Sequence, residues 1–177
     1  MYQNKDGEIQ TSREKLLKTF RNSSDLVFIR AWGNIGDELI YAGMRQLLSG
    51  FNYREVSIQN LQNISGHTAI VAGSGGWCKP FHSMPSFLPI IEDCFQSVIV
   101  FPSSFDPAEE IVRISLEQTN ALIFARELVS YQKIRGLCKS DIAHDCAFYF
   151  NYDQYKKNGN GILNAFRGDE ESLNKPL

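Results

Sequence analysis

Residues able to do chemistry gather in this chain just past short apolar runs, and the richest such place is Trp32-Gly33-Asn34-Ile35-Gly36-Asp37-Glu38-Leu39-Ile40. It follows the run Asp25-Leu-Val-Phe-Ile-Arg-Ala and opens an amphipathic stretch that reaches about Leu48. Gly33 and Gly36 let the backbone turn tightly and approach a ligand closely. The free N–H groups of a helix start then face the crevice, together with the positive end of the helix dipole. Asp37 argues against a plain phosphate cradle, because a carboxylate repels anions but suits sugar hydroxyls. The competing reading is that the glycines only make the turn and Asp37 caps the helix.

Similar clusters recur downstream. Gly73-Ser74-Gly75-Gly76-Trp77-Cys78 follows the run Thr68-Ala-Ile-Val-Ala. Its glycines permit positive φ and close backbone approach, and Trp77 offers either a flat face for stacking on a sugar ring or a core anchor. Pro102-Ser103-Ser104 places two hydroxyls at the end of another run, although serines in turns usually bond their own backbone. Arg126-Glu127-Leu-Val-Ser130 follows Ala121-Leu-Ile-Phe-Ala, so Arg126 emerges where that run ends. A guanidinium there clamps an anion bidentately or pairs with a nearby carboxylate such as Glu127. Phe166-Arg167-Gly-Asp169-Glu170-Glu171 repeats the pattern: an apolar run, an arginine, then carboxylates.

Other chemistries find little support. His144-Asp145 is an isolated pair, more often structural than catalytic, and His67 and His82 have no evident partners. Neither a Gly-x-Gly-x-x-Gly nor a Walker A string is present, and no Ser-His-Asp spacing or metal-ligand set stands out. The four cysteines lack a CxxC pair. Cys94 and Cys146 sit among apolar residues as small core groups, and Cys78 alone is placed beside a site cluster. A net charge of −2 gives no footprint for nucleic acid or an anionic membrane. No apolar run approaches the ~20 residues of a membrane-spanning helix. The polar start Met1-Tyr-Gln-Asn-Lys-Asp-Gly-Glu reads as no secretory leader, and a reduced, cytosolic setting is expected.

The 177 residues, 43% of them apolar, suffice for one domain with a sizeable core. Strands are expected at 25–31, 54–58, 68–73, 97–102, 121–125, 142–147 and 161–166. Helices are expected between them at about 9–21, 37–49, 84–95, 107–118, 127–137 and 152–157. Asp106-Pro107 is expected to cap the fourth of these and supply its first-turn proline. Several runs are continuously apolar, as strands covered on both faces should be. The alternation predicts a parallel α/β sheet with helices on both faces. A polar, turn-rich stretch near 152–161 marks a boundary. Residues 1–155 then form a Rossmann-like domain, and residues 156–177 form a linker and the first strand of a second, truncated domain.

These clusters, in this order, resemble the polysaccharide pyruvyl transferase family. The resemblance rests on Gly-Asn-Ile-Gly-Asp-Glu-Leu-Ile at 33–40, the glycine run at 73–76, and Pro102 with Ser104. Arg126-Glu127-x-x-Ser130, Asp145-x-Ala147 and Arg167-x-Asp169-x-Glu171 complete it, so that it covers about residues 25–172. The chain departs from the family pattern at Ser74 within the glycine run, at Ser103 where glutamine is common, and at His144 where proline usually stands.

The resemblance implies one half of a two-domain enzyme similar to GT-B glycosyltransferases, with further basic residues in the other half. It implies transfer of a pyruvyl group from phosphoenolpyruvate to two hydroxyls of a sugar as a cyclic ketal, in surface or exopolysaccharide biosynthesis. Asp37, Arg126 and Arg167 become the catalytic candidates. Gly33, Asn34, Gly36, Gly75, Gly76, Trp77, Ser104, Asp145, Asp169 and Glu171 become the substrate contacts. No metal and no cofactor beyond phosphoenolpyruvate as donor are expected. The expected partners are that donor and a saccharide acceptor, free or lipid-linked, with self-association left open. The expected location is the cytoplasm or the inner face of the membrane. Two other readings stand beside this one: a GT-B-like glycosyltransferase using a nucleotide sugar, and a non-catalytic sugar-binding or vestigial domain.

Overall fold

The computed structural model describes residues 5–62, 64–79 and 81–159. The chain begins with helix α1 (Lys5–Phe20), enters strand β1 (Leu26–Arg30) and continues into helix α2 (Ile35–Leu47) and strand β2 (Tyr53–Ser57). Strand β3 (Gly66–Val71), helix α3 (Met84–Cys94) and strand β4 (Phe95–Ser103) follow. Helix α4 (Glu110–Gln118), strand β5 (Leu122–Ala125), helix α5 (Leu128–Ile134) and strand β6 (Ser140–Ile142) complete the sheet.

All described pairings are parallel, and the strand order is β2-β1-β3-β4-β5-β6. Leu26 stands opposite Tyr53 on one side and Thr68 on the other, which fixes β1 as an interior strand. Successive side chains of a strand point to opposite faces. Val27 and Ile29 therefore join one core with Val71, Val100 and Ile123, under α3, α4 and α5. Leu26 and Phe28 join the other with Ile70, Phe101 and Phe124, under α1 and α2. Fully burying one such side chain contributes about 1.5–3 kcal/mol. Two-sided burial explains why the central runs lack the polar alternation of a half-exposed strand. The expected doubly covered parallel sheet is the fold observed.

Several boundaries differ from expectation. The strand expected at 142–147 ends at Ile142, and the chain then turns into a 3-10 segment, Cys146–Tyr149. The Asp145 side chain enforces this turn by accepting the Ala147 N–H at 2.9 Å. Helix α4 starts at Glu110 with no side-chain cap, because Asp106 instead accepts from Lys133 at 3.1 Å. The helix expected at 152–157 is a 3-10 turn, Asp153–Tyr155, and the strand expected at 161–166 lies outside the described residues. Helices α1 and α2 begin earlier than expected, while α5 is the shorter segment Leu128–Ile134.

Candidate active site

In a parallel sheet every strand delivers its carboxyl end to the same edge. Here the chain leaves β1 toward β2 on one side, whereas β3 lies on the other. Such a reversal opens a crevice between the two loops that leave the central strands. A cavity of about 550 Å³ occupies that place, lined by the loops after β1 and β3 and reached from the far side by Arg126 and Asp145.

The β1 loop is built around a reciprocal cap. Asn34 Oδ1 accepts the Gly36 N–H at 2.8 Å, and Asp37 Oδ2 accepts the Asn34 N–H at 2.8 Å. Asp37 therefore caps the helix, and the geometry leaves room for a ligand contact as well. One oxygen caps the helix, while Oδ1 has no hydrogen-bond partner among the described residues and the residue lines the cavity. A Cβ on Gly33 would lie 2.1 Å from Asp37 Cβ, so glycine is required for space. Beneath the loop, the Tyr41 hydroxyl donates to Ala31 O at 3.2 Å. Burial first, then the charges of Asp37 and Glu38, push that phenol well above its usual range, so it remains a donor.

The β3 loop is likewise tight for steric reasons. A Cβ on Gly73 would stand 2.3 Å from Pro102 O, and one on Gly76 would stand 2.5 Å from Met84 Cγ. Gly75 has open space around it and faces the cavity. No described glycine adopts a left-handed backbone, so the run serves close approach and not positive φ. Ser103, fully buried, accepts the Ser74 N–H at 3.1 Å and donates to Phe101 O at 2.9 Å, tying the ends of β3 and β4 together.

Trp77 is not a stacking surface. It is 0% exposed, forms a parallel bridge with Phe105, and packs its ring 5.3 Å from the Phe105 ring. The core claims this indole because the bridge pulls the loop against the α3–α4 side of the sheet. Trp32 lines the cavity instead, 53% exposed and in a T-shaped pair with Phe87 at 5.8 Å. Phe81 also lines the cavity. The sequence assigns no role to Phe81, nor to Trp32, although Trp32 opens the richest cluster just beyond the end of β1.

Arg126 leaves β5 at the carboxyl edge and is held by two partners that are distant in sequence. Its Nε donates to Ser104 Oγ at 2.7 Å, and its Nη1 donates to Asp145 Oδ2 at 3.0 Å. The side chains are 31% and 16% exposed in the Arg126–Asp145 pair. Nη2 has no hydrogen-bond partner among the described residues, so the guanidinium is oriented without being used up. Glu127 does not pair with it. Its carboxylate accepts the Ser130 N–H at 2.8 Å and contacts the Ser130 hydroxyl, which accepts the Phe105 N–H at 2.8 Å. Burial raises the Glu127 carboxyl, but these bonds outweigh it and hold the group below its usual range. Arg-Glu-x-x-Ser thus divides its work: Arg126 faces the cavity, and Glu127 with Ser130 clips α5 to the β4 loop.

Of the expected site residues, Gly33, Asn34, Gly36, Asp37, Gly75, Gly76, Arg126 and Asp145 line one cavity. Ser104 supports Arg126 from behind. Arg167, Asp169 and Glu171 lie outside the described residues. His144 belongs to a second groove beside α1, where its N–H donates to Ser12 Oγ at 2.6 Å. Cys78 does not line the cavity, and burial, then Asp106, raises its thiol. Among the described residues, no group of His, Cys, Asp and Glu could hold a metal ion, and no helix is long and apolar enough to cross a membrane.

Comparison with known proteins adds to this geometry. A family model described as polysaccharide pyruvyl transferase matches residues 34–177. The crystal structure of an uncharacterised protein from Klebsiella pneumoniae superposes with a TM-score of 0.73 at 21% identity. The match covers 92% of this chain and 66% of that one, so the chain spans just under two thirds of that structure's length. No curated protein sequence matches significantly.

Proposed function

The chain belongs to the polysaccharide pyruvyl transferase family, and on that premise we propose that its gene product transfers a pyruvyl group from phosphoenolpyruvate to a sugar diol. The observation that carries the reading is the placement of Arg126. It is a cation steered by Ser104 and Asp145 into the same switch-point cavity that holds Asp37 and the start of α2.

The reaction asks for distinct groups. A proton must reach the methylene carbon, one sugar hydroxyl must add to the central carbon, and phosphate must leave with the bond to that carbon. The second hydroxyl then closes the ketal. The diol gives up two protons, one balancing the methylene and one balancing the departing phosphate. Arg126, whose Nη2 has no hydrogen-bond partner among the described residues, suits the phosphate or carboxylate of the donor. Asp37 Oδ1 suits a sugar hydroxyl, which it would orient and relieve of its proton. Arg167 is proposed as a second anion contact, and Asp169 and Glu171 as further substrate contacts. The acceptor is proposed to be an intermediate of surface-polysaccharide assembly, free or lipid-linked, handled at the cytoplasmic side.

The test is incubation of the full-length gene product with phosphoenolpyruvate and a panel of glycosides, following phosphate release. A melting shift with phosphoenolpyruvate should accompany it. Turnover of a nucleotide sugar without phosphate release from phosphoenolpyruvate would replace this reading with a glycosyltransferase. Binding of sugars without turnover of either donor would replace it with a sugar-binding domain.

A further inference from the structure

The cavity has one wall that the donor chemistry does not use. Trp32 projects beyond the end of β1, 53% exposed, although tryptophan is among the residues that most favour burial. Its placement is not loose. The ring and that of Phe87 form a T-shaped pair at 5.8 Å with an interplanar angle of 75°, and Phe87 itself packs against the core under α3. The indole is thus held against α3. Phe81, 44% exposed, lines the same cavity from the loop before α3. Asn34, the cap of α2, and Asp37, in its first turn, follow Trp32 closely, so an apolar side chain and hydroxyl-binding groups are delivered together.

We propose that Trp32, aided by Phe81, is the platform on which the acceptor sugar ring lies, with Asp37 receiving its hydroxyls. A pyranose presents apolar C–H groups on its faces and hydroxyls around its rim. It therefore needs a flat apolar surface beside polar groups at the edge, and a rigid aromatic supplies that surface at little conformational cost. Trp77 cannot do this because it is sealed in the core. The platform rests on the acceptor part of the function proposed above and adds the residue that reads the sugar.

The contrast between the two tryptophans supplies the assay. Trp77 is 0% exposed, so of these two indoles iodide should quench Trp32 alone, and the difference in quenching between the unaltered protein and the Trp32→Phe variant isolates it. In the full-length protein, methyl glycosides of galactose, glucose and N-acetylmannosamine should be titrated against iodide quenching. At least one should shield Trp32. With that glycoside as acceptor, Trp32→Ala should raise the acceptor KM about tenfold or more and leave the phosphoenolpyruvate KM unchanged. Trp32→Phe should recover most of the loss. Phosphate release with glycosides that neither shield Trp32 nor respond to Trp32→Ala would overturn the platform and leave the transferase reading standing. Shielding without phosphate release would keep the platform and overturn the transferase. Trp32 already hidden from iodide in the free full-length protein would also end the proposal.

Discussion

Replacing Arg126 probes the site where its structure is most specific. The guanidinium makes two charge-assisted hydrogen bonds at once, from Nε to Ser104 at 2.7 Å and from Nη1 to Asp145 at 3.0 Å. Lysine carries one compact ammonium and cannot span both partners while also presenting a fork to a ligand. Arg126→Lys keeps the charge, so donor binding should weaken but persist. Arg126→Gln removes the charge as well. If the side chain makes one charge-assisted bond to the donor, its loss costs about 1.5–3 kcal/mol, or roughly 10–100-fold in kcat/KM for phosphoenolpyruvate. The same change leaves the Asp145 carboxylate, 16% exposed, with the Ala147 N–H as its remaining hydrogen-bond partner among the described residues. A stability loss of about 1–3 kcal/mol should follow, which denaturant melts would measure separately. Asp145→Asn serves as the control, because it weakens the ion pair and leaves the guanidinium in place; its donor KM should move less. Phosphate-release kinetics, with calorimetric titration of phosphoenolpyruvate, read the donor term. An Arg126→Gln protein that folds and binds phosphoenolpyruvate with unchanged affinity would refute the assignment, leaving Arg126 as a brace for the Cys146–Tyr149 turn.

Asp37→Ala should cost about 0.5–2 kcal/mol of stability through the lost cap and should raise the acceptor KM while sparing the donor KM; a change in stability alone would assign Asp37 to capping. Gly43→Ala should destabilise by about 1–3 kcal/mol or more despite the better helix propensity of alanine, because its Cβ would stand 1.9 Å from Cys146 O; Gly75→Ala, with nothing within 4 Å, should stay within about 0.5 kcal/mol in the same melts. Glu127 should make the fold acid-sensitive. Its carboxyl is held below the usual range in the folded chain, so between the folded and unfolded values the unfolded state binds more protons. That contribution is fully present above the ordinary carboxylate range and is lost as pH falls through the lowered value. Glu127→Gln should flatten the acid limb of a pH–stability curve, and an unaltered limb would contradict the clip to Ser130.

The sequence displays those parts of the fold that depend on local order. Continuous apolar runs such as Ser97-Val-Ile-Val-Phe report burial on both faces. The Asn34–Asp37 cap is likewise legible, because its partners are three residues apart. What stays hidden is set by distant pairing. Arg126 meets Asp145 and Ser104, 19 and 22 residues away, in place of its neighbour Glu127. Trp77 and Trp32 both follow strands and flank glycines, yet only the bridge from Trp77 to Phe105 decides which indole is sealed in the core. The early end of β6 has a similar origin. The turn after it is fixed by Asp145 and by Gly43, whose missing side chain lets α2 approach the Cys146 carbonyl.

In the proposed reaction the central carbon of phosphoenolpyruvate becomes the carbon of a sugar ketal. Phosphoenolpyruvate isotopically labelled at that carbon, incubated with the full-length protein and the glycoside that supports phosphate release, allows the product to be read by NMR. The expected result is a labelled quaternary carbon joined to two sugar oxygens, formed in equal amount to phosphate and about 10–100-fold more slowly with Arg126→Gln at low phosphoenolpyruvate. Label recovered only as free pyruvate, or in no sugar product at all, would contradict the account.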